Sequence, residues 1–252
     1  MLSVGAVFAV PLGLVLVLLS WVVGLPWWTG AVLGAVVTAL VLWRRARRAD
    51  VTVLEPYRSL AGTANPDPVV VARFGNLVEG LCLSIGIPEP ELLVVSDPAR
   101  NAMAVARDQR QTLVVTDSLL TDLERVELEG VVAELLVRLR SGDAERATVM
   151  AALVGGLLLD SALGSVGRPL AARLMRRTLD DYRDVTADRQ AVAVTRYPPG
   201  LWAGLERIGS GPVLPVGATP GTDHLWMVPP PRAADLFDFA PLEWRIDILM
   251  ES

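Results

Sequence analysis

"VELEGVVAELLVRLRSGD", residues 126–143, is the stretch from which the rest of the chain is read. It holds no proline, is rich in Leu, Val, Ala, Glu and Arg, and meets a stop at Gly142, so it reads as a strong helix. Glu134 and Arg138 stand at i and i+4, the spacing of a helix-surface ion pair. Taken alone, "AELLV" is worth nothing as a signal, because those residues fill any helix. Its meaning comes from what flanks it.

Upstream, apolar residues recur at helical spacing from Val69 to Leu83, and Gly86 ends that helix ahead of Pro88. "ELLVVS" follows as a short strand bounded by Pro90 and the turn "DPARN". "AMAVA" and "TLVVT" flank "RDQRQ", the pattern of a hairpin with a loop of four or five residues. Asp117 or Ser118 caps the next helix. Downstream, "ATVMAALVGGLLLDSALGSVG" is apolar, and Arg146 and Arg168 bracket it. A single crossing there would strand the remainder on the opposite membrane face, so it is read as non-spanning. "RPLAARLMRRTLDDYRDVTADRQAVAVT" reads as one helix with Pro169 near its start. "PPGLWAGLERIGSG" is a short helix, and a Pro-rich loop leads to a final amphipathic helix. No internal repeat is visible.

The N-terminus is of another kind. Residues from Leu2 to about Val23 carry no charge, and a second apolar run extends from about Ala31 to Trp43. With Trp27, Trp28 and Thr29 that run reaches about 17 residues, the lower limit for spanning a bilayer. Trp21, Trp27, Trp28 and Trp43 sit near the ends, where indoles favour headgroups. A signal peptide fits poorly, since there is no basic leading region and a second span follows. Arg44, Arg45, Arg47 and Arg48 come next, while the connecting loop is uncharged. The positive-inside rule therefore places the rest in the cytoplasm, with contacts to anionic lipid heads open to those arginines. The expected location is the inner (plasma) membrane, multi-pass. Residues 1–48 form the hairpin, 49–68 a linker, and 69–252 the domain.

A hydrophobic content of 52% and a positive mean hydropathy agree with a membrane protein. Net charge −5 without a basic, aromatic-interleaved stripe excludes a nucleic-acid partner. One Cys and one His exclude an internal disulfide and the usual Cys/His zinc frameworks; Cys82 reads as a small buried residue.

Four stretches, in order, carry a resemblance: "RNAMAVARDQRQTLVVTDSLLTDL", "VELEGVVAELLVRLRSGD", "RDVTADRQAV" and "HLWMVPPP" with "LFDFAPLEWRIDIL". They resemble, respectively, the Asn-Ala-Phe-Ala strand and hairpin, the His-Glu-x-x-His helix, the Glu-x-x-Ala-Asp-Arg element and the C-terminal segment of the M48 membrane-linked zinc peptidases, which include the HtpX-like enzymes. The match covers about four fifths of the chain. It implies an α+β, mostly helical fold: a transmembrane hairpin followed by a zincin-like domain with a small sheet.

The resemblance also implies what is missing. In the family two imidazoles one turn apart hold zinc, and the intervening Glu activates a bound water. Here Ala133 and Val137 occupy the imidazole positions, Asp184 stands for the third ligand, and Glu134 matches the base. Asp188 and Arg189 match the Ala-Asp-Arg element, and Asp143 ends the motif helix. Glu134, Asp184 and His224 form too poor a donor set for zinc or magnesium. No cofactor is expected, although zinc is the family's. No Gly-x-Ser-x-Gly elbow offers other hydrolytic chemistry. The expected protein is an inactive, membrane-anchored peptidase-like regulator, adaptor or complex subunit that binds an integral-membrane or membrane-associated protein. The alternative is an active hydrolase with unusual ligands. The resemblance implies that Asn101, Ala102, Met103 and Ala104 supply a strand edge for an extended peptide and that His224 lies near the cleft.

Overall fold

The structure is a computed structural model that describes residues 13–62, 66–160, 164–180, 182–234, 236 and 239–251. The first expected span begins at Leu2, and its part up to residue 12 lies outside the described residues. What is described begins with α1 (Gly13–Val22) and α2 (Trp27–Arg47). These helices pack antiparallel through small residues. Gly30, Gly34 and Thr38 form the buried stripe of α2. A Cβ on Gly34 would lie 2.7 Å from Gly13 Cα, and one on Gly30 would strike the Leu16 carbonyl. Such close backbone approach is how helices associate where no hydrophobic gain is available between them. The outer faces are apolar and exposed, with Leu18 at 62% and Trp21 at 76%. Of the two, α2 is long and apolar enough to cross a membrane.

The segment expected as a linker is largely a helix, α3 (Ala49–Ala61). Ala49, Val53, Leu54 and Tyr57 bury one face of it, and that burial outweighs Pro56 inside the helix. Next comes α4 (Pro68–Ile85), started by the Asp67 cap and ended by Gly86 at φ 76°. α4 is also long and apolar enough to cross a membrane, but Phe74, Val78, Leu81, Cys82 and Ile85 turn into the domain core.

A three-stranded sheet follows: β1 (Glu91–Val95), β2 (Ala102–Arg107) and β3 (Arg110–Thr116), in the order β1-β3-β2. β2 and β3 pair antiparallel with Arg107 opposite Arg110, so the loop is Asp108–Gln109, shorter than the spacing suggested. Asp108 takes φ 52°, as this tight turn requires. The sheet separates two cores. Ala102, Ala104 and Ala106 face α4 and α6 (Arg125–Ser141), while Met103 and Val105 face α3 and the segment after residue 150. That division is the period of two made physical.

Behind α5 (Asp117–Asp122), helix α6 is the motif helix. Glu124 and Glu127 form a capping box at its start, and Gly142 closes it at φ 74°. It is buried on nearly every side from Leu128 to Leu139. Gly130 permits contact with α10 (Pro198–Gly209): a Cβ there would lie 2.6 Å from Leu201 N. α7 (Asp143–Met150) runs into a π-helix, Ala151–Leu159, buried against α3 and α8 (Gly164–Thr178). The stretch expected as one helix from Arg168 to Thr195 is broken, with α9 (Arg183–Thr195) beginning afresh. α11 (Leu242–Met250) closes the chain against α9 and α10.

Candidate functional site

α6 and α9 lie side by side and bring Glu134, Arg138 and Asp184 together, although 46 residues separate the last two. Arg138 Nε donates to Glu134 Oε1 at 2.6 Å, and its Nη2 donates to Asp184 Oδ1 at 3.0 Å. The expected surface ion pair of Glu134 and Arg138 is therefore a buried one, with Arg138 2% and Glu134 0% exposed. Helix spacing gives the pairing, but only the packing of α9 and α11 over this face removes it from water.

Two further arginines complete the network. Arg245 of α11 forks onto Asp188, with Nε and Nη2 each 2.7 Å from a carboxylate oxygen. Its Nη2 also lies 3.7 Å from Glu134 Oε1, and Nη1 donates to the Met227 carbonyl. Arg183 Nε stands 3.5 Å from Asp184 Oδ1 and 3.6 Å from Asp143 Oδ2, while its Nη2 donates to the His224 carbonyl at 2.8 Å. Four carboxylates thus face three guanidiniums. Burial pushes the Glu134 carboxyl upward, with Arg138 and Arg245 opposing. Burial also acts against ionised Asp184, but Arg138, Arg245 and Arg183 outweigh it and hold that carboxyl below the usual range.

Ala133 and Val137 are fully packed in the core beside this network and offer no donor atom. His224 is buried in a short turn, Asp223–Leu225, where its Nε2 donates to the Ala147 carbonyl at 3.0 Å. Among the described residues no group of three or more His, Cys, Asp or Glu is placed to hold a metal ion. The described side chains nearest the expected ligand positions are already engaged. Glu134 and Asp184 are occupied by Arg138, and the single imidazole spends Nε2 on a backbone carbonyl.

His224 carries its own pH signature. Burial, reinforced by Arg183, pushes it down to about 3. The unfolded chain takes up this proton near pH 6.5 and the folded chain does not, so stability is full above pH 6.5 and falls on acidification towards pH 3. Denaturant titrations of wild type and His224→Gln between pH 7 and 4 are expected to diverge. Wild type should lose about 1.4 kcal/mol per pH unit more than the variant. Parallel slopes would place His224 in contact with water.

The strand residues behave as architecture. Asn101 is fully buried; its Nδ2 donates to the Val213 and Val228 carbonyls at 2.8 and 2.7 Å, and its Oδ1 accepts from Ala102 N. Ala102, Met103 and Ala104 are buried as well. The edge of β2 expected to be open is covered: Met103 pairs with Trp226, Met227 N donates to the Ala102 carbonyl, and Ala106 N donates to Thr148 Oγ1. Asp188 is a buried anchor for Arg245, while Arg189 beside it is exposed. Sequence reasoning passed over Arg183 and Arg245. The visible signal was their place inside the two elements that carry Asp184 and the C-terminal resemblance.

Comparison with known proteins gives the lineage. No family model matches the chain, and no solved structure matches it. A "Protease HtpX homolog" of Dictyoglomus turgidum is 35% identical over 159 residues, 53% of this chain and 52% of the relative. One from Dictyoglomus thermophilum is 33% identical over 200 residues, covering 68% and 66%. One from Tropheryma whipplei (strain Twist) is 32% identical over 210 residues, covering 71% and 72%. The chain thus spans about half to two thirds of the length of the first two relatives. With identity at this level over more than two thirds of both partners in the third, the chain belongs to the HtpX-like M48 family.

Proposed function

We propose that this chain is a membrane-anchored, catalytically silent member of its family, acting as a protein-binding regulator, adaptor or subunit of a membrane complex. One observation carries the reading. The guanidinium of Arg138 bridges Glu134 and Asp184 in a dry interior, beside Ala133 and Val137, which cannot ligate. A positive charge built into the fold stands among carboxylates that a metal site would need free. Without a metal no water is activated and no carbonyl polarised, and no alternative nucleophile–base pair is present at this network. A fold that keeps its core and membrane hairpin without reactive chemistry retains binding as its use. The covered edge of β2 directs such binding to other surfaces. The hairpin and Arg44–Arg48 support a plasma-membrane location with the domain on the cytoplasmic side.

The competing reading is an active peptidase with unusual ligands. It draws on the retained Glu134 and on the relatives' printed names. Elemental analysis of the purified full chain, with a casein digestion assay, separates the two. Substoichiometric zinc, no digestion above a Glu134→Gln control, and a stable co-purifying membrane protein are expected. Stoichiometric zinc with digestion that disappears in Glu134→Gln would sink the proposal.

A further inference from the structure

The last turn of α2, the start of α3 and the start of the π-helix border an open cavity of about 720 Å³. Trp43, Arg44, Arg45, Arg48, Thr52 and Ala152 line it, together with Arg47. Its floor is the π-helix, where glycine leaves room: Arg45 Nη1 reaches within 4.0 Å of the position a Cβ on Gly156 would take. Among the described residues no acidic side chain lines it. Asp50, the nearest carboxylate in sequence, is already paired with Arg110, at 2.8 and 3.0 Å. Among the described residues no ion pair reaches Arg44, Arg45, Arg47 or Arg48. Arg47 is spent on the face of Trp43, 4.8 Å from the ring centroid.

We infer that this cavity is a binding site for the headgroup of an anionic phospholipid, with Arg44, Arg45 and Arg48 holding the phosphate. Guanidiniums that line one space without carboxylate partners are a donor set that phosphate oxygens satisfy. The lipid source follows from position. The cavity opens beside the exposed apolar face of α2, where Val36, Leu40, Val41 and Trp43 are 57%, 46%, 46% and 53% exposed. An acyl chain lying along that face brings its phosphate one helical turn beyond Trp43, at the arginines. The packing of the π-helix against α2 also ties the bound lipid to the domain, so the site joins two elements and is more than a stop-transfer flank. The inference rests on the hairpin lying in the bilayer and is independent of whether the peptidase chemistry is lost.

The test uses the full chain in mild detergent, incubated with equimolar phosphatidylglycerol and phosphatidylcholine and read by native mass spectrometry. Wild type is expected to retain one phosphatidylglycerol in preference to phosphatidylcholine. Arg44→Gln/Arg45→Gln/Arg48→Gln should lower that retention about a hundredfold, given about 1 kcal/mol of attraction from each basic residue at an anionic surface. A charge-matched control, Arg125→Gln/Arg140→Gln/Arg196→Gln, should leave it unchanged. Equal retention of the two lipids, or equal loss in the control, overturns the site. Glycerol 3-phosphate displacing the lipid at micromolar concentration overturns the lipid source and assigns the arginines to a free phosphoester.

Discussion

Arg138→Met is expected to destabilise the domain by about 3–5 kcal/mol, the cost of stranding buried charge. The side chain fills a site with almost no solvent access and holds two carboxylates from different helices. Methionine supplies similar volume, so the loss is electrostatic and not a cavity. Glu134 and Asp184 are then left facing each other with Arg245 and Arg183 as their remaining compensation. Their carboxyls rise in the folded variant and take up protons, so the deficit should shrink as pH falls from 7 towards 5. Arg138→Met with Glu134→Gln and Asp184→Asn is expected to recover part of the loss, with a coupling of about 1–3 kcal/mol. Arg58→Met gives the contrast: its pair with Glu91 is about half exposed on both sides and should cost under about 1 kcal/mol. Urea titration of the detergent-solubilised chain measures the three variants against wild type. If Arg138→Met costs no more than Arg58→Met, the network does not hold α6, α9 and α11 together.

The sequence showed α6 clearly because one residue type at each end decides it, with Gly142 able to take positive φ and no proline between. The β2–β3 hairpin was legible as two apolar strands around "RDQRQ", but its two-residue turn and the division of Ala102 and Ala104 from Met103 between the two cores came only with the packing. α3 was not. The "ANPDP" of residues 64–68 reads as a connecting stretch, whereas burial of Tyr57 and Leu54 settles the helix before it at tertiary level. The candidate site divides in the same way. Ala133 and Val137 were visible because the absence of an imidazole needs no geometry. Arg138 was visible as a partner for Glu134, but its burial was not. Nothing in a helical pattern tells a solvated arginine from one sealed by Asp184, 46 residues on, nor joins Arg245 to Asp188 across 57 residues. The strand edge failed for a related reason. A strand's hydrogen-bonding edge is open or closed according to what the chain later lays over it, here Trp226 and Met227.

Rebuilding the missing ligands should show whether Arg138 and a metal exclude one another. The variant Ala133→His/Val137→His/Asp184→Glu/Arg138→Val is expected to carry close to one zinc per chain by elemental analysis, against far less in wild type. Helix geometry sets the two imidazoles one turn apart on a face of α6 that already looks towards residue 184. The same triple replacement with Arg138 retained is expected to bind poorly, by at least tenfold in zinc affinity. Its guanidinium would still hold the oxygens of residues 134 and 184 and set a positive charge against a dication in a dry interior. Ala133 and Val137 are 0% and 1% exposed, so each imidazole overpacks the core and costs about 1–3 kcal/mol before metal is added. Zinc binding to the folded form offsets that cost, so the quadruple variant should melt higher with zinc than with chelator, and the triple variant should not respond. Equal zinc in triple and quadruple variants would show that the arginine tolerates the metal. In that case weak zinc binding by wild type would rest on Ala133 and Val137 alone.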